Sequence, residues 1–140
     1  MKTVAEILRE KPNQSVVTVS PDSSVYDAIK TMAERSIGAV VVVEGDTVLG
    51  MLSERDYARK VVLQDRSSRS TKVRDIMTDS VYYVGPGDTR EHCMAMMTER
   101  HFRHLPVIDN EKLIGLLSIG DLVKDVMLSL IHIPSPRDKR

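Results

Sequence analysis

An α+β fold built from one small unit used twice is the class this sequence predicts, and three observations predict it. Gly50-Met-Leu-Ser53-Glu-Arg-Asp56 and Gly115-Leu-Leu-Ser118-Ile-Gly-Asp121 repeat one pattern 65 residues apart: glycine, two apolar residues, serine, two variable residues, aspartate. The same shift superimposes residues 17–62 on 82–127 without a gap, so that Val19 meets Val84, Pro21 meets Pro86, Met32 meets Met97 and Val42 meets Val107. Within each copy the apolar residues change period, from the alternation of a strand to the spacing of a helix and back. Two copies are fewer than a solenoid needs, so they must close on each other as a pair.

The first copy opens with Val16 to Val19, an alternating β-branched run that reads as a strand. Ser20-Pro21-Asp22-Ser23 supplies turn chemistry and a helix N-cap. Val25, Ala28, Ile29, Met32 and Ala33 then fall at helical spacing up to Arg35. Ile37 to Val43 and Thr47 to Leu52 read as short strands joined by Glu44-Gly45-Asp46. Ser53 opens a helix through Leu63, with Tyr57, Val61 and Ala58 facing inward. The second copy repeats the order with strand Val81 to Val84, turn Gly85-Pro86-Gly87-Asp88, helix Thr89 to Arg100, strands His104 to Ile108 and Leu113 to Leu117, and helix Ile119 to Met127. Short helical stretches, Val4 to Glu10 and Val73 to Met77, precede the two copies 69 residues apart. The organisation is therefore residues 1–64 as the first repeat, a polar Ser/Arg-rich linker at 65–71, residues 72–127 as the second repeat, and a tail at 128–140. That tail matches nothing after the first repeat and resembles the translation of a sequencing-library adapter, so it is read as a non-native extension.

Composition narrows the functional classes. A chain of 140 residues buries roughly two thirds of its unfolded surface, enough for a core. Twenty basic and twenty acidic residues cancel, which argues against a nucleic-acid binder that relies on a broad positive field. Apolar runs such as Ala39 to Val43 are far too short to span a bilayer. The single cysteine, Cys93, has no internal partner for a disulfide, so a reducing cytoplasm is the expected setting.

The repeated motif has a chemistry of its own. A strand ending at Leu52 delivers Ser53 to a helix start, where unpaired N–H groups and the positive end of the dipole favour an anion such as phosphate. Asp56, one turn on, offers a carboxylate that can accept from the two vicinal hydroxyls of a ribose. Ser118 and Asp121 repeat the arrangement. The same residues also spell a capping box, in which serine bonds the amide three residues on and the acid reaches back to the cap amide. Capping and binding are both open at this point and are compatible. Arg55, Arg100, Arg103 and His104 are candidate phosphate partners, or else members of a solvated face.

Taken together, the two in-register motifs and the stretch Arg103-His104-Leu105-Pro106-Val107 resemble a tandem pair of CBS domains, the arrangement called a Bateman module, over residues 3–127. The resemblance implies two β-α-β-β-α repeats packed sheet to sheet about a pseudo-twofold axis, with two clefts, and a homodimer that forms a disk of four repeats. It implies a ligand-binding set of Thr18, Ile37, Ala39, Ser53, Arg55, Asp56, Tyr83, Arg103, His104, Pro106, Ser118 and Asp121. The implied ligand contains adenosine: AMP, ADP or ATP first, with NADH and S-adenosylmethionine as alternatives. The implied role is a regulatory sensor, not an enzyme, acting on a separate enzyme or a thioredoxin-like partner, with no nucleic acid and no membrane. A ligand-independent interaction or dimerisation module is the alternative function.

Two further constellations are weaker. His92 and Cys93 are adjacent and point to different sides of a helix, and with His101 and His104 they give no four-ligand zinc spacing, so no metal is expected. Cys93 as a nucleophile would need a histidine partner that spacing does not supply. Met94, Met96 and Met97 read as packing. The two copies also differ at the motif itself. Gly38 stands where the second copy has Arg103, and Glu54-Arg55 stands where it has Ile119-Gly120; the two sites are therefore expected to bind unequally, the first motif carrying the spare cation.

Overall fold

The computed structural model describes residues 1–11 and 16–131. In chain order the elements are α1 (Val4–Glu10), β1 (Thr18–Val19), α2 (Val25–Arg35), β2 (Ala39–Glu44), β3 (Thr47–Ser53), α3 (Glu54–Tyr57), α4 (Arg90–Arg100), β4 (His104–Asp109), β5 (Lys112–Ser118) and α5 (Ile119–Leu130). A π-helical turn at Ala58–Val62 continues α3, and a 3-10 turn spans Val73–Asp75. Helices and two small sheets together make the α+β class expected. Among the described residues one compact unit, the α3 unit, gathers 16–82 and 109–114, and the other, the α5 unit, gathers 1–11, 83–108 and 115–131.

In the α3 unit the sheet order is β1-β2-β3, with β1 parallel to β2 and β2 antiparallel to β3. The apolar run of β2 is buried because Val40 and Val42 sit in the core with Leu52, Val25, Ala28, Met32 and Val61. Gly45 at φ +62 makes the tight β2–β3 turn, a conformation that costs glycine little. Ser24 rather than Ser23 caps α2: its side chain accepts from the Asp27 amide. Ala33 and Ala58, expected to face inward, are exposed. The linker is tied down, since Val25 N–H donates to Thr71 and Tyr26 N–H to Ser68, and Tyr57 Oη lies 2.9 Å from Ser68 Oγ.

In the α5 unit, α4 and α5 pack with the β4–β5 hairpin, whose loop uses Asn110 and Glu111 at φ 50 and 66. Leu105, Leu117 and Leu122 are fully buried, each contributing about 1.5–3 kcal/mol. The helix α5 continues to Leu130, past the expected end at Met127; residues 132–140 of the expected extension lie outside the described residues. The strand expected at Val81 to Val84 does not form, and only an isolated parallel bridge joins Val84 to Val107. The reason is covalent. In the first repeat Val41 N–H donates to Val17 and extends the ladder, whereas its counterpart Pro106 has no N–H to give. The Val84 amide still donates to Pro106 and Ile108 N–H to Val84, so pairing stops after one bridge.

The short segments that precede the repeats exchange places. Helix α1, which precedes the first repeat, buries Val4 and Ile7 in the core of the α5 unit, and Thr3 bridges Thr89. The 3-10 turn, which precedes the second repeat, buries Val73 and Ile76 in the core of the α3 unit, and Lys72 bridges Ser24. The motif glycines make this exchange sterically possible. A Cβ on Gly115 would lie 2.8 Å from Leu8 Cδ1, and one on Gly50 would lie 2.6 Å from the Thr78 carbonyl oxygen. That oxygen is fixed by the Met51 amide at 2.9 Å, whereas the Leu8 side chain can rotate.

Two outcomes follow from this packing. Gly50→Ala should cost about 3 kcal/mol and Gly115→Ala about 1 kcal/mol by urea denaturation, the upper and lower ends of overpacking costs; the reverse order would contradict the glycine argument. Cys93 lies in the core of the α5 unit, where burial, aided by Asp88, pushes its thiol up to about 11. Iodoacetamide at pH 8 should therefore modify the unfolded chain and spare the folded one, and equal rates would show that Cys93 is reactive in place.

Candidate functional site

The first candidate site begins where β3 ends. Ser53 keeps extended backbone angles of −117 and 164, and the chain turns into α3 behind it. Its hydroxyl accepts from the Asp56 amide at 3.1 Å, while Ser53 N–H and Oγ–H each donate to Asp56 Oδ2 at 3.0 Å. The capping box is therefore complete, even though aspartate is shorter than the usual glutamate. The other oxygen, Oδ1, takes Thr78 Oγ1 at 3.2 Å and the Lys60 ammonium at 3.2 Å. Glu54 N–H donates to Gly38 at 3.0 Å, which ties the helix start to the segment entering β2.

Around this pair the structure gathers Ala39, which lies opposite Ser53 in the β2–β3 ladder, and Thr18, opposite Val41. Ala39 is buried, Ile37 is half-buried against the core, and Thr18 is exposed at the sheet edge. Arg55 is exposed and makes no ion pair among the described residues.

In the α5 unit the second pair repeats the geometry. Ser118, at −100 and 160, accepts from the Asp121 amide at 3.1 Å, and its own N–H donates to Asp121 Oδ2 at 2.8 Å. Ile119 N–H donates to the Arg103 carbonyl at 2.8 Å, the counterpart of the Glu54–Gly38 bond. Here the lysine comes from elsewhere. Lys11, at the end of α1, reaches Asp121 Oδ2 at 3.0 Å and donates to the Leu116 carbonyl at 2.8 Å. Burial pushes the Asp121 carboxyl up, but the Ser118 amide and the Lys11 ammonium outweigh it and hold it below its ordinary value.

His104 opens β4 beside this pair and is half-buried. Burial lowers its pKa; Asp121 pulls it upward, and Lys11 and Arg103 press it down further, so the imidazole is neutral at pH 7. Arg103 is exposed, Pro106 is buried in β4, and Tyr83 is exposed because its strand fails to form. The expected residues thus fall into two sets, one per unit: Thr18, Ile37, Ala39, Ser53, Arg55 and Asp56 in one, and Tyr83, Arg103, His104, Pro106, Ser118 and Asp121 in the other.

Three residues escaped the sequence reading. Lys60 sits four positions after Asp56, an ion-pair spacing visible on a helix. Thr78 and Lys11 carry no such local signal, because they arrive with the exchanged segments. The histidines do not assemble with Cys93: among the described residues no group of three or more His, Cys, Asp or Glu side chains converges on a metal position.

Comparison with known proteins assigns the arrangement. The pattern of the CBS domain matches residues 4–63 and 73–128. A CBS domain-containing protein of Arabidopsis thaliana, CBSX3, mitochondrial, is 40% identical over 133 residues, which cover 89% of this chain and 65% of the relative, so the chain spans just under two thirds of that protein. The structure of a putative signal-transduction protein with CBS domains from Burkholderia ambifaria MC40-6 is 58% identical, with a TM-score of 0.87 over 90% of this chain and 94% of its own. The CBS domain pair of protein MJ0100, in complex with 5'-methylthioadenosine and S-adenosyl-L-methionine, shares the fold at 19% identity, with a TM-score of 0.82 over 92% of this chain and 98% of its own. With both repeats matched and each bearing the same Ser–Asp helix start, the chain belongs to the CBS domain family and carries the domain twice.

Proposed function

We propose that this chain is a regulatory adenosine-nucleotide sensor that acts on a separate partner protein. One observation carries the reading: each unit sets a serine hydroxyl, a run of helix N-terminal amides and an aspartate within one turn of helix, in the same reciprocal bonds. Phosphate suits the amides and the hydroxyl, and a ribose diol suits the carboxylate one turn away. The adenosine ligands of the MJ0100 pair support the ligand class. AMP, ADP or ATP fit first, at roughly micromolar to millimolar affinity, about −4 to −8 kcal/mol. Binding acts on the partner only as far as the ligand discriminates between two conformations of the pair.

A homodimer is the assembly we infer. Ile119, Val123, Met127 and Leu130 recur along one side of α5 and are 44%, 43%, 55% and 73% exposed, a stripe that a second copy would cover. The cytoplasm is the setting inferred from a lone thiol.

A specific observation favours the second reading at the first site. Both oxygens of Asp56 are already engaged, Oδ2 by Ser53 and Oδ1 by Thr78 and Lys60, as a purely structural cap would have them. On that reading the pair is a ligand-independent interaction module.

Thermal-shift titration with AMP, ATP, NADH and S-adenosylmethionine separates the two. A sensor at 100 times its dissociation constant gains about 2.7 kcal/mol, a rise of about 5–10 °C in melting temperature; a flat response to all four leaves only the interaction module. Asp56→Asn combined with Asp121→Asn, which keeps the side-chain shape and removes the charge, should weaken the tightest ligand at least about tenfold. Unchanged affinity would place the ligand elsewhere.

A further inference from the structure

The cations around the two sites are not arranged alike. In the α3 unit Lys60 holds Asp56 Oδ1 and also donates to the Ile76 carbonyl at 2.9 Å, so it sits on the oxygen turned away from the Ser53 amide. In the α5 unit Lys11 holds Asp121 Oδ2, the same oxygen that accepts from the Ser118 amide at the helix start. An ammonium has three donors. Lys11 spends two of them, on Leu116 and Asp121, and keeps one at the place where an anion would meet the α5 N-terminus.

The neighbours of Lys11 widen the difference. Arg103 and His104 stand where the first repeat has Gly38 and Ala39, and Ser80 stands 69 residues after Lys11 in the exchanged segment. Lys11, Arg103 and Asp121 all lie within electrostatic reach of His104, so the group is one cluster. At the first site Arg55 is preceded by Glu54, while the matching positions of the second site are the uncharged Ile119 and Gly120. The first two helical positions thus cancel in the α3 unit, and the second site gains two permanent cations from outside its motif. The spare cation expected from Arg55 does not make the first site the more basic one.

We propose that Lys11, with Arg103 beside it, makes the second site selective for the more highly charged phosphate chains, so that it takes nucleoside di- and triphosphates while the first site does not discriminate by charge. This rests on the nucleotide-sensor reading. Asp121 Oδ1, which no hydrogen bond or ion pair reaches among the described residues, is the acceptor left for a ribose, and Lys11 is the positioning and charge-reading group next to it. The segment that carries Lys11 precedes the first repeat in sequence, so the specificity of one repeat is set by the chain leading into the other.

Calorimetric titration of the intact chain with AMP, ADP and ATP tests this. Coulomb attraction grows with ligand charge, so Lys11→Met should weaken ATP roughly tenfold, ADP less and AMP by under about twofold. Lys11→Arg should restore the order, and Arg103→Met should show the same graded loss in a chain whose Lys11–Asp121 pair is intact. An equal loss for all three nucleotides would make Lys11 a structural ion pair only, and no loss would remove it from the site; either overturns the proposal while leaving the sensor reading in place. Wild-type protein that binds none of the three overturns both.

Discussion

Everything near the two sites depends on a short polar exchange at the start of a helix. A serine at the end of a strand gives its amide to an aspartate one turn on and receives that aspartate's amide in return. Two orphan donors of the helix are satisfied by one pair of side chains. The exchange fixes where the strand stops and the helix begins, and the Glu54–Gly38 and Ile119–Arg103 bonds then draw the start of the inner strand against that point. A capping device is by itself neutral about function. Its consequence is that the remaining helix amides and the aspartate are held in a set geometry, which is the preorganisation that a phosphate and a ribose would use.

The glycine of the motif belongs to a different part of the physics. It gives room to the exchanged segment, Leu8 against Gly115 and Thr78 against Gly50, and that segment brings the side chain that pairs with the aspartate in the α5 unit. Close packing and site chemistry are therefore linked through one residue spacing. The lysine that sits on Asp121 is available only because α1 lies where a larger residue at 115 would not let it lie.

Much of the fold was legible in the sequence because it is local. The helices α2 and α4, the strand pairs β2–β3 and β4–β5 and the serine caps follow from period, β-branching and turn residues within a few positions of one another. What escaped is non-local or depends on one atom. The failed first strand of the second repeat traces to the missing N–H of Pro106, a residue in the partner strand. The exchange of α1 and the 3-10 turn between the units reads in sequence as simple adjacency, since nothing near Val4 or Val73 states which copy will bury them. For the candidate site, Ser53, Asp56, Ser118 and Asp121 were legible from the repeated motif, while Lys11, 110 residues from Asp121, had no signal that spacing could carry. The π-helical turn at Ala58–Val62, absent from the second repeat, is a difference between the copies for which their sequences offer no simple cause.

The result is a pair of sites alike in their caps and unlike in their charge. The α3 site closes its aspartate with partners on both oxygens, and the α5 site leaves one oxygen open beside two permanent cations. Inequality of this kind lets one chain respond to the balance between nucleotides that differ in charge. A crystal structure of the intact chain grown with ATP is the most direct test of the central claim. The account predicts phosphate density at the α5 N-terminus, within hydrogen-bond distance of Ser118 and the Lys11 ammonium, with the ribose on Asp121. Ordered ATP bound away from Ser118 and Asp121, or an unchanged cap at saturating ATP, would contradict it.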